Sequence, residues 1–391
     1  METLHLLPRQ ERRVLAGHLW VFSNEVDWKR SSKPLPGESR LLFAANGRPL
    51  GLADVHPNTL IAARLQPDLP EPDPTEEFWV ERLGKALAER AAWMGDNGFC
   101  RLVNADGDRL PGLTVDRYGT HAVVQAQTVA MDRRAPVVAR ALLKLGLEGV
   151  KLSGSGASRV LEGLPDEDLW FGNPAKMAWV PVGPDVEAGA PLEDGQKTGF
   201  FLDQADNRRS LAHLAAGRHV LDACCYSGGW GLAAARAGAL SCTFLDSARD
   251  ALDLVGAGWE RAGLPGEPSL HQGDVFDGLR DLAGLGRRFG MVVLDPPAFA
   301  KSRKAVDQAL VGYQNLSRLG LEVLDEDGIL VTCSCSGLVP EEDFRASVVR
   351  ALRQKRRPAR LLWSLGAAPD HPVHPAMPET RYLKVLVWSV S

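Results

Sequence analysis

The stretch that decides the fold is HVLDACCYSGGWG, which runs from His219 to Gly231. It begins as a short apolar run typical of a buried strand and continues into a glycine turn and the small-residue helix segment LAAARAGA. Such a turn lets a ligand approach the backbone at a helix N-terminus. The spacing also satisfies GxGxxA at Gly229, Gly231 and Ala234, a pattern found in ordinary strand–turn–helix connections. Alone, the motif indicates either a nucleotide-type site or simple packing.

Strand-like and helix-like segments alternate from Gly195 to the end of the chain. The strand candidates are HVLDACC, SCTFLD, SLHQGD, MVVLDPP, GILVTCSCS, RLLWSL and YLKVLVWSV. Strands this continuously apolar are covered on both faces, and strand–helix alternation at this spacing is typical of right-handed βαβ units. The pattern predicts a protein of the α/β class with a doubly wound sheet.

We expect three domains. Residues 1–70 are short apolar runs with Gly and Pro between them and predict a small β-rich domain. A linker rich in proline and acidic residues, Pro67–Glu77, leads into a middle α+β domain over residues 75–190. Residues 195–391 form the α/β domain.

Within the middle domain we expect a helix from about Thr75 to Trp93 and then strands joined by tight Asp-Gly turns. The segment AMDRRAPVVARALLKLGL predicts a helix interrupted near Pro136. The domain is expected to close with a hairpin near Pro184–Asp194.

Composition excludes several classes of protein. The chain has 391 residues, 45% hydrophobic and 24% charged, which fits a folded globular protein rather than a disordered one. Its net charge of -4 means that a surface for nucleic acid would have to be a local patch. Neither a membrane-spanning run nor a signal peptide is recognised, so we expect a cytoplasmic protein. The six cysteines contain no CxxC pair, and we expect reduced thiols and no metal site.

Acidic residues end two of the predicted strands. Asp246 could accept hydrogen bonds from a ribose diol, and Asp274 lies beside the place where an adenine would bind. The alternative is that both are helix N-caps, because LDSARDAL and GDVFDGL begin like capped helices.

The fourth strand of this domain ends in Asp295-Pro296-Pro297-Ala298-Phe299. This rigid turn could hold a planar base between the Phe299 ring and the backbone while Asp295 accepts a hydrogen bond from an exocyclic amine. Three basic residues follow directly and could bind phosphate, namely Lys301, Arg303 and Lys304. The alternative is a purely structural end to the strand.

The fifth strand ends in TCSCSG, Thr332 to Gly337. Cys335 lies farther than Cys333 toward the carboxyl edge, where clefts open in such sheets, so a thiolate there could add to an electrophilic carbon. Cysteines are also common in buried cores, and both interpretations stay open on chemistry alone.

Taken together, these motifs resemble the RlmI-like family of S-adenosylmethionine-dependent ribosomal RNA cytosine carbon-5 methyltransferases. HLWVFSNEV resembles that family's PUA domain, RLVNADGDRLPGLTVDRYG its middle domain, and GQKTGFFLDQADNR the signature before its catalytic domain. The remaining motifs follow in the right order and end in DHPVHPAMPETRYLK. The resemblance implies a class I, Rossmann-like domain with a seven-stranded sheet. One departure is Trp230, where the family usually has a smaller aromatic residue.

The resemblance also implies residue roles. Cys335 is chosen over Cys333 as the nucleophile, and Asp295 contacts the base as a second catalytic residue. The implied cofactor-binding residues are Lys197, Thr198, Phe201, Asp203, Asp222, Gly228, Gly229, Asp246, Asp274 and Asp295. The substrate-binding residues are Pro296, Pro297, Phe299, Lys301, Arg303 and Lys304. The implied partner is large-subunit ribosomal RNA, with a homodimer as a possible assembly.

Three other functions are compatible with parts of the pattern. An amino-group RNA methyltransferase, acting on adenine N6 or guanine N2, would use the DPPAF turn without a thiol. A nicotinamide oxidoreductase would explain GxGxxA with Asp246 but not DPPAF. A non-catalytic RNA-binding or assembly factor would have no need of the intact motifs.

Overall fold

The computed structural model describes residues 1–193 and 198–391. The chain forms two compact units. The first consists of residues 1–178, 191–202 and 369–380, and the second of residues 179–190, 203–368 and 381–391. None of the helices within residues 1–193 and 198–391 combines the length and the apolar character of a membrane-spanning segment. The three-domain boundaries stay a prediction.

The first unit begins with the predicted β-rich region, a five-stranded sheet in the order β1-β3-β4-β5-β2. β1 runs parallel to β3 and the other neighbours are antiparallel. Its elements are β1 (Thr3–His5), α1 (Arg12–Leu15), β2 (Trp20–Phe22), β3 (Glu38–Phe43), β4 (Pro49–Val55) and β5 (Ile61–Leu65). Alternate apolar side chains of these strands, among them Leu4, Val21 and Leu42, form its core.

A second five-stranded sheet in this unit has the order β10-β9-β8-β7-β6. Its elements are α2 (Glu76–Met94), β6 (Phe99–Asn104), β7 (Leu113–Tyr118), β8 (His121–Ala126), α3 (Val129–Lys144), β9 (Gly149–Leu152), α4 (Ala157–Glu162) and β10 (Leu169–Gly172). The predicted first helix is confirmed, and Thr75 caps it by accepting a hydrogen bond from the Phe78 N–H. Asp106-Gly107 lies in a short 3-10 turn between β6 and β7.

The predicted interruption near Pro136 is wrong, because α3 continues through this residue. Proline removes one backbone donor and crowds the preceding turn. The buried face of α3, which includes Met131, Val138 and Leu142, packs into the core of the middle sheet. We attribute the continuity of the helix to this packing, which outweighs the local preference.

The second unit contains the α/β sheet, and strand–helix alternation after Gly195 is confirmed. The two strands of the expected hairpin form a small separate sheet. The elements are β11 (Met177–Gly183), β12 (Val186–Pro191), α5 (Ala205–Leu211), β13 (His219–Ala223), α6 (Gly229–Arg236), β14 (Ser241–Asp246), α7 (Arg249–Arg261), β15 (Ser269–Gln272), α8 (Val275–Gly284), β16 (Phe289–Leu294), α9 (Val306–Glu322), β17 (Leu324–Ser334), α10 (Glu341–Lys355), β18 (Ala359–Leu365) and β19 (Lys384–Val390).

The large sheet has seven strands in the order β15-β14-β13-β16-β17-β19-β18. Only β19 runs antiparallel to its neighbours. β16 is buried along its whole length, as expected for a central strand covered on both faces. The order reverses at β13 and β16, which places the loops after these two strands at a topological switch point.

Candidate active site

The loop after β13 has a strained backbone. Cys224, Tyr226 and Gly228 have φ values of 59°, 49° and 79°. Positive φ is unfavourable for side chains such as Cys and Tyr, and such residues cluster at functional sites. Hydrogen bonds hold the loop in place, from Cys224 N–H to the Leu245 carbonyl (2.8 Å) and from Gly228 N–H to the Cys225 carbonyl (2.9 Å).

The glycines of this loop have a packing role as well. A Cβ added at Gly231 would lie 2.2 Å from the Phe244 ring, and one at Gly228 would lie 2.8 Å from Val255. The backbone at these two glycines therefore packs closely against apolar side chains of β14 and α7. Gly229 begins α6, and Gly228 is its N-cap in the left-handed conformation.

Asp222, near the end of β13, holds the start of α6 through a hydrogen bond with the backbone. Its Oδ2 accepts a hydrogen bond from the Gly231 N–H at 2.8 Å. Its Oδ1 is buried and has no hydrogen-bond partner among residues 1–193 and 198–391. Burial raises the pKa of Asp222 to about 8, so the protonated carboxyl is favoured more than it is for an exposed aspartate.

The two acidic residues at strand ends differ in role. The carboxylate of Asp246 accepts hydrogen bonds from the backbone N–H of Tyr226 (2.8 Å) and of Ala248 (2.9 Å), which fixes the two loops beside it. The N-cap alternative is wrong for Asp246, since the N-cap of α7 is Ala248. It is confirmed for Asp274, whose exposed carboxylate accepts from Phe276 and Asp277 N–H groups.

Asp295 directly follows β16, at the switch point. Two donors converge on its Oδ2, the Trp230 indole N–H and the Gln204 side-chain amide, each at 3.1 Å. Burial raises the pKa of Asp295, and these two hydrogen bonds and the charge of Arg208 oppose the rise. The carboxyl is therefore held in one orientation and more of it is protonated near neutrality than for an exposed aspartate.

The rest of the DPPAF turn is held by aromatic packing. The Phe299 ring lies 4.7 Å from that of Tyr313 and 6.3 Å from that of Phe276, measured between centroids. Pro296 is buried, whereas Pro297 is exposed. The neighbouring basic side chains Lys301, Arg303 and Lys304 are exposed and form no ion pair within the described parts of the chain.

Cys335 immediately follows the last residue of β17, next to the DPPAF turn. Its side chain is partly buried, and its Sγ lies 4.0 Å from the carbonyl oxygen of Pro296. Cys333 faces a different environment, because it is completely buried and its pKa is raised well above the ordinary value by burial and by the charge of Asp295.

The remaining four cysteines are also free thiols with raised pKa values. Burial raises the pKa of Cys100 and Cys242 to about 12. The pKa of Cys224 is raised by burial and by the nearby negative charges of Asp246, Asp295 and other carboxylates. These environments disfavour a thiolate.

The GQKTGFFLDQADNR motif is divided between the two units. Lys197 lies outside the described residues. Thr198 and Phe201 belong to the first unit, where the Thr198 hydroxyl donates to Asp116. Asp203 belongs to the second unit and accepts a hydrogen bond from the Tyr382 hydroxyl at 2.7 Å. Their roles with a cofactor stay predictions.

Sequence reasoning missed the partners of Asp295. Gln204 and Arg208 lie within the GQKTGFFLDQADNR motif. Trp230 stands out in the sequence only because it is larger than the aromatic residue that the family usually has at this position. Arg208 is buried close to the charges of Asp295, Asp203 and Asp222. Because burial is not visible in the sequence, no sequence signal marked Arg208 as a neighbour of these carboxylates.

Comparisons with known proteins agree with this architecture. A family model described as S-adenosylmethionine-dependent methyltransferase matches residues 167–354, and a PUA-like domain model matches residues 4–66. Proteins named ribosomal RNA large subunit methyltransferase I from Shewanella amazonensis and Shewanella denitrificans are 34% and 33% identical over 98% of both chains.

A solved structure of an S-adenosylmethionine-dependent methyltransferase from Streptococcus mutans has a TM-score of 0.83 to this chain. It is 21% identical, and the match covers 100% of both chains. At this identity the likeness concerns the fold. The predicted combination of a class I methyltransferase sheet with an N-terminal PUA-like domain is confirmed.

Proposed function

Because the chain belongs to the ribosomal RNA large subunit methyltransferase I family, we propose that it forms 5-methylcytosine in large-subunit ribosomal RNA. It is a methyltransferase that uses S-adenosylmethionine. The identity of the methylated atom is our proposal, and so is the ribosomal RNA substrate. The cytoplasm is the compartment that this proposal implies, and a homodimer stays a prediction.

The observation that carries the proposal is the position of Cys335 beside the DPPAF turn, with Sγ 4.0 Å from the Pro296 carbonyl oxygen. Cys335 and Asp295 follow neighbouring parallel strands at their carboxyl ends, where open α/β sheets bind their ligands. A pyrimidine whose N3–N4 edge meets Asp295 would present its carbon 6 toward the thiol. Direct methylation of an exocyclic amine needs no thiol at this place.

The residues around the β13 loop fit S-adenosylmethionine. The half-exposed Asp246 ends β14 with both oxygens already oriented by backbone N–H groups and with acceptor capacity left for ribose hydroxyls. Gly228 and Gly229 would lie against the amino-acid portion, and Asp274 near the adenine amine. When bound, the cofactor supplies an electrophilic methyl group on a sulfonium.

Cys335 would act as the nucleophile. Its thiolate forms a bond to carbon 6 of the cytosine, and the π electrons of the C5–C6 bond move to carbon 5, which becomes nucleophilic. After carbon 5 has gained its methyl group, a base removes the proton on that carbon. The electrons of the broken C–H bond restore the double bond and expel the Cys335 thiolate, so the enzyme is regenerated.

Asp295 would stabilise the charge that develops on the ring. A hydrogen bond between its carboxyl and ring N3 would stabilise the negative charge that builds there, and burial, which raises the pKa of Asp295, makes the donating, protonated form more accessible than in an exposed aspartate. The Trp230 and Gln204 donors hold Oδ2 in place and so fix the orientation of the whole group. This preorganisation is a typical source of transition-state stabilisation.

Contacts with the RNA backbone are proposed for Lys301, Arg303 and Lys304, because they are exposed and follow the DPPAF turn directly. A second basic cluster, RQKRRPAR at residues 353–360, begins in the last turn of α10. Lys355 forms an ion pair with Glu322, and Arg357 donates to the Asp325 carbonyl.

The test is incubation of the purified protein with tritiated S-adenosylmethionine and ribosomal RNA from cells that lack the enzyme, followed by nucleoside analysis. Labelled 5-methylcytidine is expected. Label in methyladenosine or methylguanosine would instead favour direct transfer to an amine and would remove the need for Cys335. Failure to bind the methyl donor would favour a non-catalytic RNA-binding role.

Replacing the nucleophile gives the first prediction. Cys335→Ser should lower turnover by roughly 10³-fold or more, since a serine hydroxyl at neutral pH is a far weaker nucleophile than a thiolate. Binding of S-adenosylmethionine, measured by calorimetry, should be retained.

The matched control is Cys333→Ser, two residues away in the same motif. Because Cys333 is completely buried and its thiol pKa is raised, this variant should still form 5-methylcytidine. Full activity in Cys335→Ser would rule out the covalent route.

A further inference from the structure

A buried lysine lies behind the turn that carries Cys335. Lys384 is the first residue of β19 and pairs with Ser334 in the antiparallel ladder with β17. Its Nζ donates hydrogen bonds to the carbonyl oxygens of Ser336 (2.7 Å) and Val339 (2.9 Å). Burying an ammonium group is costly unless its N–H groups are satisfied, and here two carbonyls from one turn accept from two of the three.

The two acceptors belong to residues 336 and 339, which directly follow the nucleophile. Lys384 therefore ties both ends of this short segment to β19. A second, uncharged brace acts on the same residues, because the Tyr313 hydroxyl lies 2.9 Å from the Oγ atoms of both Ser334 and Ser336. The path of the backbone at Cys335 is thus fixed from two sides.

Two ionisable side chains, Cys335 and Glu341, interact electrostatically with Lys384. The pKa of Lys384 is lowered to about 8 by burial, while a negative charge on Cys335 or on Glu341 opposes this fall. Glu341 is itself engaged by Arg381 and by the Ser364 hydroxyl. Since a thiolate at Cys335 favours the charged form of Lys384, the charged lysine must equally favour the thiolate.

Resting on the proposed function of Cys335, we propose that Lys384 is a positioning residue that holds the nucleophile turn and stabilises the Cys335 thiolate. It does not touch substrate or cofactor in this role. Its contribution acts through the two backbone carbonyls and through the electrostatic effect of its ammonium group on the thiol.

The experiment measures alkylation of Cys335 by iodoacetamide as a function of pH, with the modified peptide quantified by mass spectrometry. Only the thiolate reacts, so the midpoint of the profile reports thiol ionisation without RNA or methyl donor. In Lys384→Met the midpoint should move up by about one pH unit, which slows alkylation about tenfold at any pH that lies well below both midpoints.

Activity gives a second readout. Lys384→Met should lower kcat while leaving KM for S-adenosylmethionine unchanged, and raising the pH should recover part of the loss. Lys384→Arg keeps a positive charge and should retain an alkylation midpoint close to that of the wild type. Tyr313→Phe removes the uncharged brace alone, so it should leave that midpoint unchanged.

Lys151→Met is the matched control, because Lys151 is also buried and its Nζ donates to the Leu192 and Glu193 carbonyls in the other unit. It should leave Cys335 alkylation unchanged even if it lowers stability. A folded Lys384→Met protein with the wild-type alkylation profile would overturn the proposal. If Cys335→Ser proves active, the covalent mechanism fails, whereas the alkylation comparison still decides the effect of Lys384 on the thiol.

Discussion

At the scale of single residues, the hydrogen bonds and the burial of Asp295 together control its ionisation. Two donors meet on one of its oxygens, from Trp230 at the start of α6 and from Gln204 before α5. Both favour the ionised form, and burial opposes them. The protonation of this carboxyl is therefore set by a balance that one substitution can change.

Trp230→Phe tests this balance. The phenyl ring keeps most of the packing but removes the indole N–H, so the pKa of Asp295 should rise further. If catalysis needs the protonated carboxyl, the alkaline limb of the kcat–pH profile should move to higher pH. A few-fold loss in kcat at the optimum should accompany it, because the carboxyl is less firmly oriented.

Trp259→Phe is the control for this substitution, since it removes an indole hydrogen bond to the Gly266 carbonyl, elsewhere in the same unit. Its alkaline limb should coincide with that of the wild type. An acidic limb that moved to higher pH in Trp230→Phe, with the alkaline limb unchanged, would show that Asp295 acts as the ionised carboxylate.

At the scale of elements, the connection from β13 to α6 requires a glycine at position 231. Phe244 of β14 occupies the space that a Cβ at Gly231 would need. The glycine therefore allows α6 to lie directly on β14, and the loop that precedes the helix is held in position as a result.

Gly231→Ala should destabilise the protein by about 1–3 kcal/mol, measured as the free energy of unfolding in urea, because the new methyl group overpacks against Phe244. Gly256→Ala in α7 is the matched control. A Cβ there meets nothing within 4 Å, and alanine is the better helix former, so this variant should be more stable by about 0.5–1 kcal/mol. A stable Gly231→Ala protein would mean that the helix can move away.

The elements of the large sheet were predictable because their strands are continuously apolar, as in MVVLDPP and SCTFLD. The continuity of α3 was not predictable from the sequence. Pro136 disfavours a helix locally, whereas the packing of the buried Met131 and Val138 stabilises the helix. The hydrogen-bond donors to Asp295 could not be predicted from the sequence either. Gln204 and Trp230 lie 91 and 65 residues away in sequence, and no local pattern encodes such contacts.

At the scale of the whole molecule, the chain passes between the two units several times. Residues 369–380 belong to the first unit, although the segments on either side belong to the second. Asp370 anchors this short segment. Its carboxylate accepts hydrogen bonds from the Arg101 N–H of β6 and from the His371 ring, both at 2.8 Å, and all three groups lie in the first unit.

Asp370→Ala should weaken the first unit specifically. It leaves a buried backbone N–H and a buried imidazole without their acceptor, at a cost of about 2–3 kcal/mol. Hydrogen exchange should accelerate in β6, while the strands from β13 to β17 keep their wild-type protection. Glu342→Ala, at the exposed start of α10, is the control and should leave exchange in β6 unchanged. Equal acceleration in both units would contradict a local role.

The late position of residues 369–380 also sets an order of events during synthesis. The first 178 residues leave the ribosome long before the segment that completes their unit has been translated. At about 5–20 residues per second, the delay amounts to roughly 10–40 s. During this interval β6 lacks the acceptor that Asp370 supplies. The nascent first unit is therefore incomplete during this interval, and a chaperone or a protease can reach it until residues 369–380 have been synthesised.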